Sequence, residues 1–206
     1  MGNACQSGKG EKPTTADTHP KAKTKLVFLD VDGVLNSVAS RKRTEKLAHE
    51  LGTTTTAKQR KREGITLPNF DEPDAEMVRL LANIVKSTGA EVVLSTTWRL
   101  IEDKRRQLMT ILADHSVHPI GDTPNLEGEP RSNTRPDEIA AFLEAFGAVA
   151  GWLAIDDLPL VRLDAHRSKE SLFRLTTEHF VHTTDAEGLT AALAQEAIAK
   201  LGAPPR

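Results

Sequence analysis

Two pairs of carboxylates in this sequence each stand directly behind a short apolar run. Asp30-Val31-Asp32 follows residues 26–29, and Asp156-Asp157 follows residues 152–155. Carboxylates at i and i+2 past a strand end project from one tight turn, and Gly33 lets the backbone fold sharply behind them. Such a pair holds a hard cation through oxygen ligands, or divides labour as nucleophile and acid/base. Standing alone, D-x-D-G is as readily a surface Asx turn, and Asp157 read alone is a helix cap. Adjacent carboxylates at the end of an apolar strand are costly unless paired or metal-bound. Two clusters at two strand ends therefore favour a shared Mg²⁺ over two unrelated turns.

Two further polar groups could complete a phosphate site. Ser95-Thr96-Thr97 follows the apolar run at 91–94. Hydroxyls and free N–H groups at a strand-to-helix junction suit a phosphate oxygen, although capping is their commoner use. Trp98 reads as a packing residue, and Arg99 as a phosphate contact or a solvated side chain. Arg135-Pro136-Asp137-Glu138 opens a helical pattern, where a cation can neutralise a phosphoryl group or a nucleophile. Arg131 competes for that role.

The elements that must position these groups alternate. Strands are expected at 26–29, 91–94, 117–120, 152–155 and 180–182. Apolar stripes at helical spacing run through Met77, Leu80, Leu81, Ile84 and Val85, and through Ile101, Leu108, Ile111 and Leu112. Two more run through Ile139, Phe142, Leu143 and Phe146, and through Leu189, Leu193, Ala197 and Leu201. The expected fold class is therefore α/β, with a parallel sheet covered on both faces. Ligands of such sheets bind at the carboxyl ends of the strands, where the polar groups fall. Residues 37–70 read as a small basic insertion after the first strand, partly helical at most. Their segment 41–62 carries eight Lys and Arg against two Glu.

The chain has 206 residues, 38% of them hydrophobic and 27% charged, enough for one soluble domain with an insertion or tail. A net charge of −2 argues against a surface that binds nucleic acid throughout, but not against a local basic patch. The single cysteine, Cys5, excludes an intramolecular disulfide and points to a reducing, cytoplasmic setting. No apolar run is long enough for a transmembrane segment. Residues 1–24 lack the apolar stretch of a secretory signal and read as a disordered N-terminal arm.

Taken in order, the four motifs resemble those of the haloacid dehalogenase-like superfamily. Asp30-Val31-Asp32-Gly33-Val34 matches the first, Ser95 the second, Arg135-Pro136 the third and Asp156-Asp157 the fourth. Leu94-Ser95-Thr96-Thr97-Trp98-Arg99 is also close to the LSSSWR pattern of a small subgroup. That subgroup shows an R-x-x-E-I helix start, as at Arg135 to Ile139, and a late GLT, as at Gly188-Leu189-Thr190. Some of its members are associated with RNA repair. The resemblance covers roughly residues 25–201, within an expected domain of 25–206.

The resemblance implies a Rossmann-like three-layer sandwich whose five-stranded, mainly parallel sheet has the order 5-4-1-2-3. It implies a Mg²⁺-dependent phosphatase in which Asp30 forms an aspartyl-phosphate and Asp32 acts as acid and then base. Ser95, Thr96 and Arg135 would hold the phosphoryl group. The metal would take Asp30, the backbone carbonyl of Asp32, Asp156 and Asp157. Arg135 departs from the Lys that many members carry, and Arg changes the geometry of that contact. The insertion is too short for a large cap, so the site is expected to be open to a bulky phosphorylated substrate. Nucleic acid could dock through 41–62; a solvated charged loop is the plain alternative.

Two other readings stay open on the same fold: a non-catalytic module that binds a phospho-ligand or RNA, and a nucleic-acid 3′-phosphatase. Finally, Met1 to Ser7 resembles an acylation signal, with Gly2 myristoylated and Cys5 palmitoylated, which would add a membrane anchor. Gln6 departs from its preferred Ser or Thr.

Overall fold

The computed structural model of the chain describes residues 24–64, 72–126, 135–167 and 172–202. Gly2, Cys5, Arg131 and the end of the basic insertion lie outside these residues. The chain begins with strand β1 (Lys25–Leu29), passes through the acidic turn, and enters helices α1 (Val38–Thr54) and α2 (Ala57–Glu63). Helix α3 (Ala75–Thr88) leads to β2 (Glu91–Leu94), a 3-10 turn (Thr97–Leu100) and α4 (Glu102–Asp114). Then come β3 (Gly121–Asp122), α5 (Arg135–Phe146), β4 (Gly151–Asp156) and α6 (Leu160–Asp164). A second 3-10 turn (Thr177–His179), β5 (Phe180–His182) and α7 (Ala191–Leu201) follow.

The five strands form one sheet in the order β3-β2-β1-β4-β5, and each pairing is parallel. This is the expected order, read from the other edge. Side chains alternate across it, as the pleat requires. Val27 and Leu29 of β1 pack with α3, α4 and α7, whereas Leu26 and Phe28 face α5 and α6. Strand β1 is central and buried on both faces, so its sequence reads as a continuous apolar run. Its carboxyl end, where the run stops at Asp30, lies between the ends of β2 and β4.

Helix α3 shows how the local signals work. Asp74 caps it by accepting from the Glu76 and Met77 N–H groups, and Gly89 ends it in the left-handed region at φ 68°. Its buried stripe includes Met77, Val78, Leu81 and Ile84.

Two expectations are corrected. The third strand is not 117–120 but Gly121–Asp122. Val117 is apolar because it plugs the core beneath α4, and the ladder is joined only from Ile120, whose N–H donates to Val92 O at 2.9 Å. The insertion, expected to be partly helical at most, forms α1 and α2. A buried capping box starts α1: Ser37 Oγ accepts from the Ser40 N–H, and Ser40 Oγ accepts from the Ser37 N–H. That signal lies in two hydroxyls rather than in an apolar stripe. No helix among the described residues is long and apolar enough to cross a membrane.

Candidate active site

Asp30 is placed by the sheet itself. Its N–H donates to Ile155 O at 3.1 Å, and the Ser95 N–H donates to Leu29 O at 2.8 Å, which locks the ends of β2, β1 and β4 together. Beyond Asp30 the chain wraps around one carbonyl: Val31 O accepts from the N–H groups of Val34, Leu35 and Asn36. Gly33 sits in this turn at φ 71°, and a Cβ there would collide with the Asp157 carboxylate. The glycine is thus required twice, by the backbone and by the neighbouring acid.

Asp30, Asp156 and Asp157 converge, each with a carboxylate oxygen within 4.8 Å of the others'. The first two are buried, at 6% and 1% exposure. Arg135, from the first turn of α5, reaches between them. Its Nη1 lies 3.2 Å from Asp30 Oδ2 and donates to Asp156 Oδ2. Asp156 is further held by the Leu158 N–H, which donates to its Oδ1 at 2.9 Å.

The electrostatics follow from burial. Desolvation pushes the Asp30 carboxyl above its ordinary range, against the pull of Arg135, the Val31 N–H and the Thr96 hydroxyl. Asp156 is pushed up to about 7, by burial first and by the Asp30 charge second. Asp157 rises for the same two reasons. The Arg135 guanidinium is buried, but Asp156 and Asp30 outweigh that cost and hold it firmly charged. Three carboxylates around one guanidinium leave the site short of positive charge. An all-oxygen acidic cluster of this kind fits a hard divalent cation such as Mg²⁺.

Two hydroxyls face the same region. Thr96 is fully buried, and its Oγ1 accepts from the Trp98 N–H at 3.3 Å. Ser95 Oγ is buried and has no hydrogen-bond partner among the described residues. A buried hydroxyl left unpaired costs about 1–3 kcal/mol, so Ser95 is the group that a ligand oxygen would satisfy. The Asp32 side chain stands apart from the three-acid cluster. It is exposed, and its Oδ2 accepts from Trp98 Nε1 at 2.9 Å.

Arg99 is neither solvated nor aimed at a ligand. It is buried, donating to the carbonyls of Thr96, Thr123 and Pro124, and Nη2 lies 2.8 Å from Glu138 Oε2. Glu138 also accepts from the Leu126 N–H. This ion pair ties the loop after β2 to the helix that carries Arg135. Glu138 lies one turn beyond Arg135, in phase with the apolar stripe of α5, and a charged residue in that phase is the signal that marks it. Removing one partner of a buried ion pair typically costs about 3–5 kcal/mol. Glu138→Ala should therefore lower the unfolding free energy measured by urea denaturation by that amount, while Arg99→Met with Glu138→Leu recovers most of the loss.

Gly188-Leu189-Thr190 also has a structural explanation. The Leu189 N–H donates to Val34 O at 2.8 Å, which braces the acidic turn, and Thr190 caps α7. Gly188, at φ 72°, leaves no room for a Cβ against Met77 and that same carbonyl.

A family model described as the HAD domain in Swiss Army Knife RNA repair proteins matches residues 26–194. The chain belongs to this family. The match spans β1 through the start of α7 and so covers the whole of this HAD domain's acidic cluster, together with Arg135, Ser95 and Trp98. No curated protein and no solved structure matches the chain.

Proposed function

We propose that this HAD domain is a Mg²⁺-dependent phosphomonoesterase that works through an aspartyl-phosphate on Asp30. The observation that carries the reading is the convergence of buried Asp30 and Asp156, paired with Arg135, and half-buried Asp157 at the ends of β1 and β4. Asp30 attacks phosphorus with a carboxylate oxygen, and the ester P–O bond breaks. Asp32 gives its proton to the departing oxygen. Water then attacks the phosphorus, passes a proton back to Asp32, and displaces Asp30 as inorganic phosphate leaves. Ser95 and Arg135 hold the phosphoryl oxygens. Asp30, Asp156, Asp157 and the Asp32 carbonyl would hold Mg²⁺, which would supply the charge neutralisation that phosphoryl transfer chiefly needs.

The substrate class we favour is the 3′-phosphorylated end of an RNA strand. The description of the matching family names RNA repair proteins. Helices α1 and α2 add an exposed basic surface, including Lys42, Lys46, Lys58 and Lys61. The N-terminus of α1 is bound to the site's edge, because the Val38 and Ala39 N–H groups donate to the carbonyls of Asp185 and Ala186. Single strands lose about 0.7 of log affinity per log salt for each phosphate neutralised.

The test is phosphate release, with Mg²⁺, from a 3′-phosphorylated oligoribonucleotide and from an aryl phosphate. Converting the four lysines to Gln should raise KM for the oligonucleotide and flatten its salt dependence, with the aryl ester unaffected. Equal effects on both esters remove the nucleic-acid reading. Tight RNA binding with no turnover of any ester leaves a binding module in place of an enzyme.

A further inference from the structure

Trp98 makes a contact that its packing does not require. The indole is 1% exposed, yet its Nε1–H is directed out of the core to Asp32, an exposed side chain. The Lys104 ammonium lies 4.7 Å from the ring centroid and covers one face of the indole. The Trp98 backbone N–H donates to Thr96 Oγ1 at 3.3 Å. One short segment is therefore bonded to the end of β1 and to the first motif, to Leu29 O through the Ser95 N–H and to Asp32 through Trp98.

We propose that Trp98 is the positioning residue for Asp32: its indole N–H fixes Asp32 Oδ2 and leaves Oδ1 to carry the proton to the leaving group. The assignment rests on the reading of Asp32 as general acid. The chemistry of the donor favours it. An exposed carboxylate on a turn samples several rotamers, and proton transfer requires a heavy-atom distance of about 2.6–3.2 Å. An indole N–H is a donor only, it has no accessible titration, and it brings no formal charge. It can orient a carboxyl group in either protonation state. A Lys or Arg in its place would hold Asp32 as the anion and so oppose its role as an acid. Packing alone makes no use of the indole N–H.

Trp98→Phe keeps an aromatic ring in the core and deletes the N–H. The measurement is kcat/KM, which reports phosphoenzyme formation, on two esters: an alkyl phosphate, whose leaving oxygen needs a proton, and p-nitrophenyl phosphate, whose leaving group does not. Asp32→Asn is run alongside. A positioned acid supplies roughly 10²–10⁴-fold. The proposal expects Trp98→Phe to lose about 10- to 100-fold on the alkyl ester, and at least about tenfold less on the aryl ester. Asp32→Asn should show the same preference in larger measure. A merely structural role would lower both esters alike, and that result, with Asp32→Asn still selective, overturns the positioning role while the acid role stands. An unselective Asp32→Asn removes the acid role, and the positioning role with it. No turnover of either ester by the unmodified protein overturns both.

Discussion

Asp30→Asn should abolish phosphate release, by at least about 10⁴-fold in kcat, without unfolding the protein. The size follows from chemistry. An amide is not a competent nucleophile, and deleting the nucleophile of a concerted set costs about as much as deleting the whole set. The retention of structure follows from the site's electrostatics. Burial already presses Asp30 toward its neutral form, and its charge raises its neighbour Asp156. Asn has nearly the same shape and removes that repulsion. Arg135 keeps Asp156 as its charged partner. The variant should therefore melt at or above the temperature of the unmodified protein in metal-free buffer at pH 8. Activity comparable to the unmodified protein, or loss of activity through unfolding, would contradict this account of Asp30.

A second large effect is expected when Mg²⁺ is added, and it should depend on pH. The Asp156 carboxyl is raised from 3.8 to about 7 in the folded protein. A raised acid binds protons more tightly folded than unfolded, so its stabilisation is full below pH 3.8 and is lost as pH rises through about 7. Asp30 and Asp157 shift in the same direction. The metal-free protein should thus lose stability between pH 4 and pH 7.5. A divalent cation replaces the protons and reverses the loss, because its ligands must be ionised. At a hundredfold excess over Kd the gain is about 2.7 kcal/mol, roughly 5–10 °C in Tm for a chain of this size. Thermal melts with and without Mg²⁺ at pH 8 and pH 5 check this. The gain should be full at pH 8 and largely gone at pH 5. A gain independent of pH, or one retained when Asp156 and Asp157 are both changed to Asn, would argue that the cation binds elsewhere.

Much of this site is legible in the sequence because parallel sheets place chemistry at strand ends. Asp30 and Asp156 follow short apolar runs that read as buried strands, and Ser95 follows a third. The sheet order is legible only through the family resemblance, because an apolar run such as Leu26 to Leu29 marks a strand buried on both faces and does not name its neighbours. What sequence reading misses is side-chain direction. Arg99 and Trp98 look like a surface cation and a packing ring, and nothing in spacing reveals that one meets Glu138 and the other Asp32. Thr96, expected on phosphate, is buried and caps the 3-10 turn that follows it, its Oγ1 accepting from the Trp98 N–H. The third strand is misplaced because two residues at a sheet edge leave no periodicity to read, while Val117 carries a hydrophobic signal that belongs to the core. Helix α1 is missed because a highly charged helix lacks the apolar stripe by which helices are recognised, and its buried cap lies in Ser37 and Ser40.

The central claim is that Asp30 carries the phosphoryl group. It is tested most directly by quenching the protein in acid during turnover of a phosphate ester with Mg²⁺, digesting it, and measuring the mass of the peptide that contains Asp30. The account predicts one added phosphoryl group on that peptide, removed by hydroxylamine and absent from the Asp30→Asn variant. Steady turnover with no such adduct, or an adduct that persists in Asp30→Asn, would contradict it.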